Sequence, residues 1–184
     1  MSIKFQKFSF VNTSRFDKMH RNRRRQKPAT VNTPENDIHS QISKHPLIEP
    51  SLNLSKKNIE FIPKQLFQLS YIENLYLSDN SLEVLPDKFF EKLPRLCYLD
   101  LRNNNLSEIP TFGLADHKCL KVALFSRNNI TKLPSELGFV ESLYAMHHIG
   151  NPIIWPEKEH LELSTPELKK YLKKCVSNKL DRRS

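Results

Sequence analysis

The sequence predicts an α/β solenoid of about five short repeats, with parallel strands on its concave face and a capping helix at its C-terminal end. Two observations predict this fold. The first is a turn residue followed six residues later by proline, which recurs at steps of 23 or 24 residues. A fixed period of this length is typical of stacked repeats. The four pairs are Lys57 with Pro63, Asn80 with Pro86, Asn104 with Pro110, and Asn128 with Pro134.

The second observation is a Leu-x-Leu segment, or a close variant of it, that precedes each pair. Its leucines alternate at period two, which predicts a short strand with both leucines on one face. Asparagine can end such a strand because its side chain hydrogen-bonds nearby backbone, and proline suits the irregular return because it has no N–H. The segments read LNLSKKNIEFIP, LYLSDNSLEVLP, LDLRNNNLSEIP, ALFSRNNITKLP and, in a shortened fifth copy, MHHIGNPIIWP.

The shared pattern L-x-L-x-x-N-x-L-x-x-L-P resembles the leucine-rich repeat family over about residues 47–175. Residues 85–96, 99–102 and 133–138 look most similar to the intracellular type represented by leucine-rich repeat-containing protein number twenty-seven. The short repeats are also similar to Ras-pathway scaffold and plant Ras-group types. The resemblance implies a non-enzymatic binding module. Since one repeat cannot bury its own leucines, at least three must stack, and the ends of the array need caps.

Departures from the pattern mark the expected ends of the array. Lys57 replaces the first turn asparagine, which indicates a partly exposed terminal repeat, and His148 takes an inward position in the shortened last repeat. Beyond it, Thr165, followed by proline and glutamate, predicts the N-cap of a helix over about 165–177. Its apolar face, made by Leu168, Tyr171 and Leu172, should cover the last repeat.

A similar start at Thr33 predicts a short helix at the other end, with Ile38 and Ile42 four residues apart. The predicted organisation therefore has four parts. They are a basic disordered tail over 1–32, an N-terminal cap region over 33–50, the repeats over 51–156, and the C-terminal capping helix with a basic tail over 157–184.

The positive charge of the chain is concentrated at its N-terminus. The formal net charge is +9, but residues 1–28 alone carry nine Lys or Arg and a single acid. The basic composition therefore says little about the repeats. Three interpretations of the tail stay open, namely a solvated segment, a nuclear or nucleic-acid-binding segment, and a mitochondrial presequence. The residues behind the second are Arg21, Arg23, Arg24, Arg25 and Lys27.

Other chemistry is not indicated by the sequence. Cys97, Cys119 and Cys175 lack metal-type spacing, and His147 and His148 should face opposite sides of a strand, so no metal or cofactor is expected. No phosphate loop or nucleophile motif predicts an enzyme. No apolar run is long enough for a signal peptide or membrane span, and we expect a reducing, intracellular compartment. The cytoplasm is preferred, with nucleus and mitochondrion as alternatives.

The register of the repeats also predicts a binding surface. Residues before, between and after each leucine pair should point outward from the concave face. Five strands about 4.8 Å apart span only about 20 Å, which suits a peptide or one helix. We therefore expect a monomeric adaptor or scaffold in intracellular signalling, with a nucleic-acid- or ribosome-associated factor as the alternative. The preference of Tyr and Val for strands offers a simpler reason for this composition. The candidate partner-binding residues are Tyr76, Tyr98, Asp100, Arg102, Val122, Leu124, His147 and Ile149.

Overall fold

The structure is a computed structural model, and it describes residues 34–46 and 49–181. The predicted tail over 1–32 lies outside these residues, as does Thr33. The described chain contains helices α1 (Pro34–Ser43), α2 (Phe89–Lys92), α3 (Lys158–Leu161) and α4 (Thr165–Asp181). Two 3-10 segments, Lys64–Gln68 and Ser135–Phe139, supplement them. The strands are β1 (Ser51–Asn53), β2 (Asn74–Tyr76), β3 (Tyr98–Asp100), β4 (Val122–Leu124) and β5 (Ala145–His147).

The strands form a single parallel sheet in chain order, which confirms the predicted α/β solenoid. Each strand pairs with the next at the spacing of the repeat, so equivalent residues stand beside each other along the sheet. The central residue of each strand points into the core and is buried. These central residues are Leu52, Leu75, Leu99, Ala123 and Met146.

The return segments close the core from the convex side. Pro63 and Pro134 each precede a 3-10 segment with φ near −65°, which the proline ring favours. In the second return, between β2 and β3, α2 places Phe89 and Phe90 fully inside the core. Phe125 is also fully buried, beside the small Ala123, so the exchange of a leucine pair for a small and a large residue keeps the core filled.

The turn asparagines bond two repeats at once. Asn104 donates from Nδ2 to the Leu101 carbonyl of its own turn, at 3.1 Å, and to the Leu77 carbonyl of the preceding repeat, at 3.0 Å. Its Oδ1 accepts the backbone N–H of Leu82, also in the preceding repeat, at 3.0 Å. Equivalent bonds are made by Asn80, Asn128 and Asn151.

This bridging explains why lysine is tolerated at position 57. The asparagine at that point of each later repeat satisfies backbone groups of the repeat before it, and the first repeat has no such predecessor in the sheet. An amide at position 57 would lack half of its partners. Lys57 can therefore replace the turn asparagine because it lies in the first repeat of the stack.

Side chains from both caps satisfy the outer edges of the sheet. On the β1 side, His45 Nε2 donates to the Ser51 carbonyl at 3.0 Å, and Gln41 Nε2 donates to the Asn53 carbonyl at 3.2 Å. On the β5 side, the Met146 N–H donates to Thr165 Oγ1 at 3.1 Å. These contacts cover strand edges that would otherwise invite pairing with another chain.

Both predicted capping helices are present, with one correction to the start of the second. Ile38 and Ile42 of α1, and Leu168 and Leu172 of α4, are buried against the array. The N-cap of α4 is Ser164, one residue earlier than predicted, since its carbonyl accepts the Leu168 N–H.

The Glu167 side chain reaches back to Ser164, as the glutamate of a capping box does. Glu167 Oε2 accepts the Ser164 backbone N–H at 3.2 Å and the Ser164 hydroxyl at 2.6 Å. The Thr165 hydroxyl is free for β5 because Ser164 begins the helix. The Ser-x-x-Glu spacing in the sequence was the signal for this start.

A buried histidine joins two repeats in the middle of the array. His117 donates from Nε2 to the Leu93 carbonyl at 3.0 Å, and its Nδ1 accepts the Leu120 N–H at 3.1 Å. Burial lowers the pKa of the imidazole, partly offset by the bond to Leu93. The ring is therefore needed in its neutral form, with the proton on Nε2.

Removal of one bridging asparagine should destabilise the stack. In Asn104→Ala, the Leu82 N–H loses its partner, and the Leu77 and Leu101 carbonyls each lose one of two amide donors. The free energy of unfolding should therefore fall by about 2 kcal/mol. Urea unfolding followed by circular dichroism measures it. Asn105→Ala is the matched control, because this neighbouring side chain is exposed. Equal stability of the two variants would contradict the bridging role.

Acid should weaken the fold through His117. Its folded-state pKa lies below that of the unfolded chain, so its stabilisation is complete above about pH 6.5 and is lost as the pH falls below that value. The melting temperature of the wild type should therefore drop between about pH 7.5 and about pH 5.5. His117→Gln should show a smaller drop, with the remainder due in part to His148, whose pKa is also lowered by burial. An unchanged pH dependence in the variant would exclude this role.

The C-terminal cap should depend on the absence of a side chain at Gly138. A Cβ at this position would lie 2.6 Å from the backbone nitrogen of Lys173 and 2.7 Å from the carbonyl oxygen of Lys169. Gly138→Ala should therefore push α4 away and cost about 1–3 kcal/mol. Hydrogen exchange across α4 should accelerate, whereas Ser135→Ala, in the same 3-10 segment, should leave it unchanged. Slow exchange in Gly138→Ala would show that α4 can shift without loss.

Candidate protein-binding face

The sheet presents three columns of outward positions on its concave side. The strand register places Tyr76 beside Asp100, and Tyr98 beside Val122, as the repeat spacing predicts. The structure therefore brings the predicted candidates onto one surface, although it buries two of them. We call the outward residues of the five strands, together with the residue two positions after each strand, the concave face. The residues after the strands are Ser55, Ser78, Arg102, Ser126 and Ile149.

Two tyrosines form the aromatic part of the concave face. The rings of Tyr76 and Tyr98 lie 5.2 Å apart between centroids, tilted by 40°, and both side chains are partly exposed. Partial burial raises the pKa of Tyr98, and the carboxylate of Asp100 adds to the effect. The pair offers two rigid rings, each with a polar tip.

Asp100 is buried, in contrast to its predicted role as an exposed contact. Only 2% of its surface is accessible, because the guanidinium of Arg102 lies over it. Arg102 donates from Nε to Oδ1 at 2.9 Å and from Nη2 to Oδ2 at 2.8 Å. The same bonds raise the pKa of Arg102. Asp100 therefore orients Arg102, and Arg102 alone is presented to solvent.

Leu124 is the second predicted contact that is buried. It stands between Asp100 of β3 and His147 of β5 in the register, and 6% of its surface is accessible. The concave curvature crowds the side chains of a central strand between those of its neighbours. Val122 is partly exposed, and Ile149 is 79% exposed.

A shallow depression of about 360 Å³ lies where β3, β4 and β5 end. The residues that line this depression come from the last residue of β5 and from the turns that follow these strands. Among them, Arg102, His147 and Ile149 were predicted from the sequence, whereas Arg127 was missed. They are Arg102, Asn103, Ser126, Arg127, His147, Ile149 and Gly150.

A backbone feature shared by all five repeats places Arg127 at this rim. The residue directly before each turn asparagine, or before Lys57 in the first repeat, adopts a left-handed conformation with φ between 54° and 81°. Such a conformation favours glycine, asparagine and aspartate. The column that precedes the asparagines was the sequence signal for these rim positions. It consists of Lys56, Asp79, Asn103, Arg127 and Gly150.

Comparison with known proteins agrees with this architecture. The family described as "Leucine rich repeat" matches residues 50–106 and, in a second overlapping match, residues 70–130. The fold of the described residues is accordingly that of a short leucine-rich repeat solenoid. Keratocan of Gallus gallus is 33% identical over 102 residues, which cover 53% of this chain and 27% of keratocan. The chain thus spans about a quarter of the length of keratocan.

A match to the probable serine/threonine-protein kinase pats1 of Dictyostelium discoideum is 34% identical over 96 residues. It covers half of this chain but 3% of the kinase, so it transfers no kinase activity to the leucine-rich repeat domain.

Solved structures show the same fold. The leucine-rich repeat domain of APL1B is similar at 26% identity and a TM-score of 0.53, over 65% of this chain and 35% of that one. The BIR2 ectodomain from Arabidopsis thaliana has 23% identity and a TM-score of 0.50, over 58% and 69% of the two chains. These similarities concern the solenoid fold and carry no information about a ligand.

The remaining sequence-predicted features divide by location. The basic residues Arg21, Arg23, Arg24, Arg25 and Lys27 lie outside the described residues, so the nucleic-acid alternative stays a prediction. Within residues 34–46 and 49–181, no group of three or more metal-type side chains is found. None of the helices described here combines the length and apolar character needed to cross a membrane.

Proposed function

We propose that the leucine-rich repeat domain is an intracellular adaptor module that binds a short protein segment, peptide or single helix, on its concave face. The observation that carries this proposal is the group of partly exposed side chains around Tyr76, Tyr98 and Arg102. Tyrosine and arginine are enriched among residues that dominate binding energy at protein interfaces. Here both tyrosines pack on one another and Arg102 is fixed by Asp100, so little side-chain entropy is lost on binding.

The dimensions of the face favour a narrow partner. Each strand contributes three residues, and five strands at about 4.8 Å span about 20 Å. A globular interface of standard size needs about 800 Å² from each partner. An extended segment or one helix can instead lie across the columns and contact residues from Tyr76 to Ile149.

The edges of the sheet support a monomeric adaptor. Carbonyls of β1 are bonded by His45 and Gln41, and the Met146 N–H of β5 is bonded by Thr165. Strand addition at either edge would have to break these contacts. We also place the protein inside the cell, where its free cysteines, Cys97, Cys119 and Cys175, would stay reduced. In this proposal 33–50 and 157–184 act as caps for the repeats over 51–156.

Removal of the tyrosine pair should separate the domain from its partners. Proximity labelling with the full chain fused to a biotin ligase would be compared with a Tyr76→Ala, Tyr98→Ala variant. Loss of two central contacts should reduce labelling of direct partners by about tenfold or more. The melting temperature of the variant would be measured alongside, so that reduced labelling is not mistaken for unfolding.

The control variant is Phe61→Ala, Val84→Ala. These apolar side chains are 70% and 50% exposed and occupy equivalent positions two residues before Pro63 and Pro86, away from the strands. Their loss should leave the labelled set unchanged. Equal labelling by wild type and the tyrosine variant would refute the concave-face proposal, as would an equal loss in the control.

A further inference from the structure

The depression at the end of the concave face is rich in hydrogen-bond donors and cationic groups. Arg102 and Arg127 border it, with Ser126 and His147 between and beside them. None of its lining residues is acidic. Asp100 lies beneath Arg102 with 2% exposure, so its charge is already engaged and its oxygens are not offered to a ligand.

Arg102 is held in one orientation with part of its donor capacity unused. A guanidinium has five N–H donors. The bonds to Asp100 use Nε and one hydrogen of Nη2, which leaves both hydrogens of Nη1 and the second hydrogen of Nη2. The side chain is 47% exposed. A second fork of the guanidinium is therefore available and already positioned by Asp100.

Arg127 is placed beside this fork by its backbone. It has φ 58°, its N–H donates to the Ile149 carbonyl at 2.9 Å, and its stem lies over Gly150, where a Cβ would be 3.1 Å from Arg127 Cγ. Across residues 34–46 and 49–181, no carboxylate lies within ion-pair distance of Arg127. The charge of Arg127 is thus uncompensated at the depression.

The neighbouring acidic residue, Asp79, forms a hydrogen bond with Asn103. Its Oδ1 accepts from Asn103 Nδ2 at 2.7 Å, which fixes the Asn103 amide at the rim. Asp79 is also the smallest contributor to the raised pKa of Arg102, after the hydrogen bonds and charge of Asp100. Asp100 is thus buried beneath Arg102, whereas Asp79 is exposed and engaged by the Asn103 amide, and neither carboxylate lines the depression.

We propose that this depression binds the phosphate group of a phosphorylated side chain in the protein segment, an inference that rests on the concave-face function proposed above. A carboxylate has two oxygens and one charge, which a single guanidinium fork satisfies. The depression offers two guanidinium groups, a hydroxyl and an imidazole, which match the three oxygens and nearly double charge of a phosphate ester. Ile149, 79% exposed at the rim, would contact the carbon atoms next to the ester.

The test uses phenyl phosphate as a probe of the full chain. Amide signals of Ser126, Arg127 and Gly150 would be followed by nuclear magnetic resonance during titration, with acetate and inorganic phosphate as parallel titrations. Phenyl phosphate should give saturable shifts at these amides, and Arg127→Gln should weaken its binding by about tenfold or more. Lys121→Gln removes another exposed cation, from the residue before β4, and it should change little.

Each outcome bears on the proposal. Absence of saturable shifts, or equal affinity in Arg127→Gln and wild type, would overturn it. Acetate that binds as tightly as phenyl phosphate would overturn the phosphate assignment in favour of an acidic side chain. Inorganic phosphate that binds as tightly as phenyl phosphate would overturn the assignment to a side chain in favour of free phosphate.

The Tyr76→Ala, Tyr98→Ala variant separates this proposal from the concave-face function. The variant should keep phenyl phosphate binding while it loses partner labelling. If labelling is retained and the probe still binds, the concave-face proposal fails while the depression remains a phosphate site.

Discussion

Each turn asparagine bonds the backbone of its own repeat and of the repeat before it, so the stack is tied together by one amide per step. Asn104 and Asn128 are 6% and 4% exposed, and both use Oδ1 and Nδ2 in this way. The bonds add to backbone hydrogen bonds between repeats that continue past each three-residue strand, such as that from the Asn103 N–H to the Ser126 carbonyl. Without them, polar backbone groups would be buried and unpaired beside the leucine core.

The same amides set the geometry of the surface. Because every repeat is joined to its neighbour at the same point, the strands align residue by residue, and the side chains on the concave face form columns. The residue before each turn asparagine adopts a left-handed conformation, and this conformation places Arg127 at the rim.

Termination of the array follows a related logic. Each repeat satisfies the backbone hydrogen-bonding groups of the next, so the first and last repeats each have backbone groups without a partner repeat. The two caps supply side chains that bond to these groups. His45 and Gln41 reach β1, and Thr165 reaches β5. On the C-terminal side the helix also packs directly against Gly138, where its backbone approaches too closely for any side chain. The caps bury apolar surface and complete the hydrogen bonding of the sheet together.

The sequence by itself determined the solenoid, the register and the two capping helices. Alternation at period two fixes which strand residues face inward, and the proline period fixes which residues stand side by side. The sequence therefore predicts the columns that contain Tyr76, Tyr98 and Arg102. The Ser-x-x-Glu box at Ser164 was equally readable and shifts the predicted helix start by one residue.

Only the tertiary structure decided which outward positions are accessible. Asp100 and Leu124 belong to outward columns, yet both are buried, because a guanidinium closes over the first and the neighbouring strands crowd the second. The close approach of α4 at Gly138 is likewise a product of packing. The periodicity of the sequence predicts on which side of the strand a side chain points. Whether that side chain is accessible to solvent depends on the side chains that other segments pack around it.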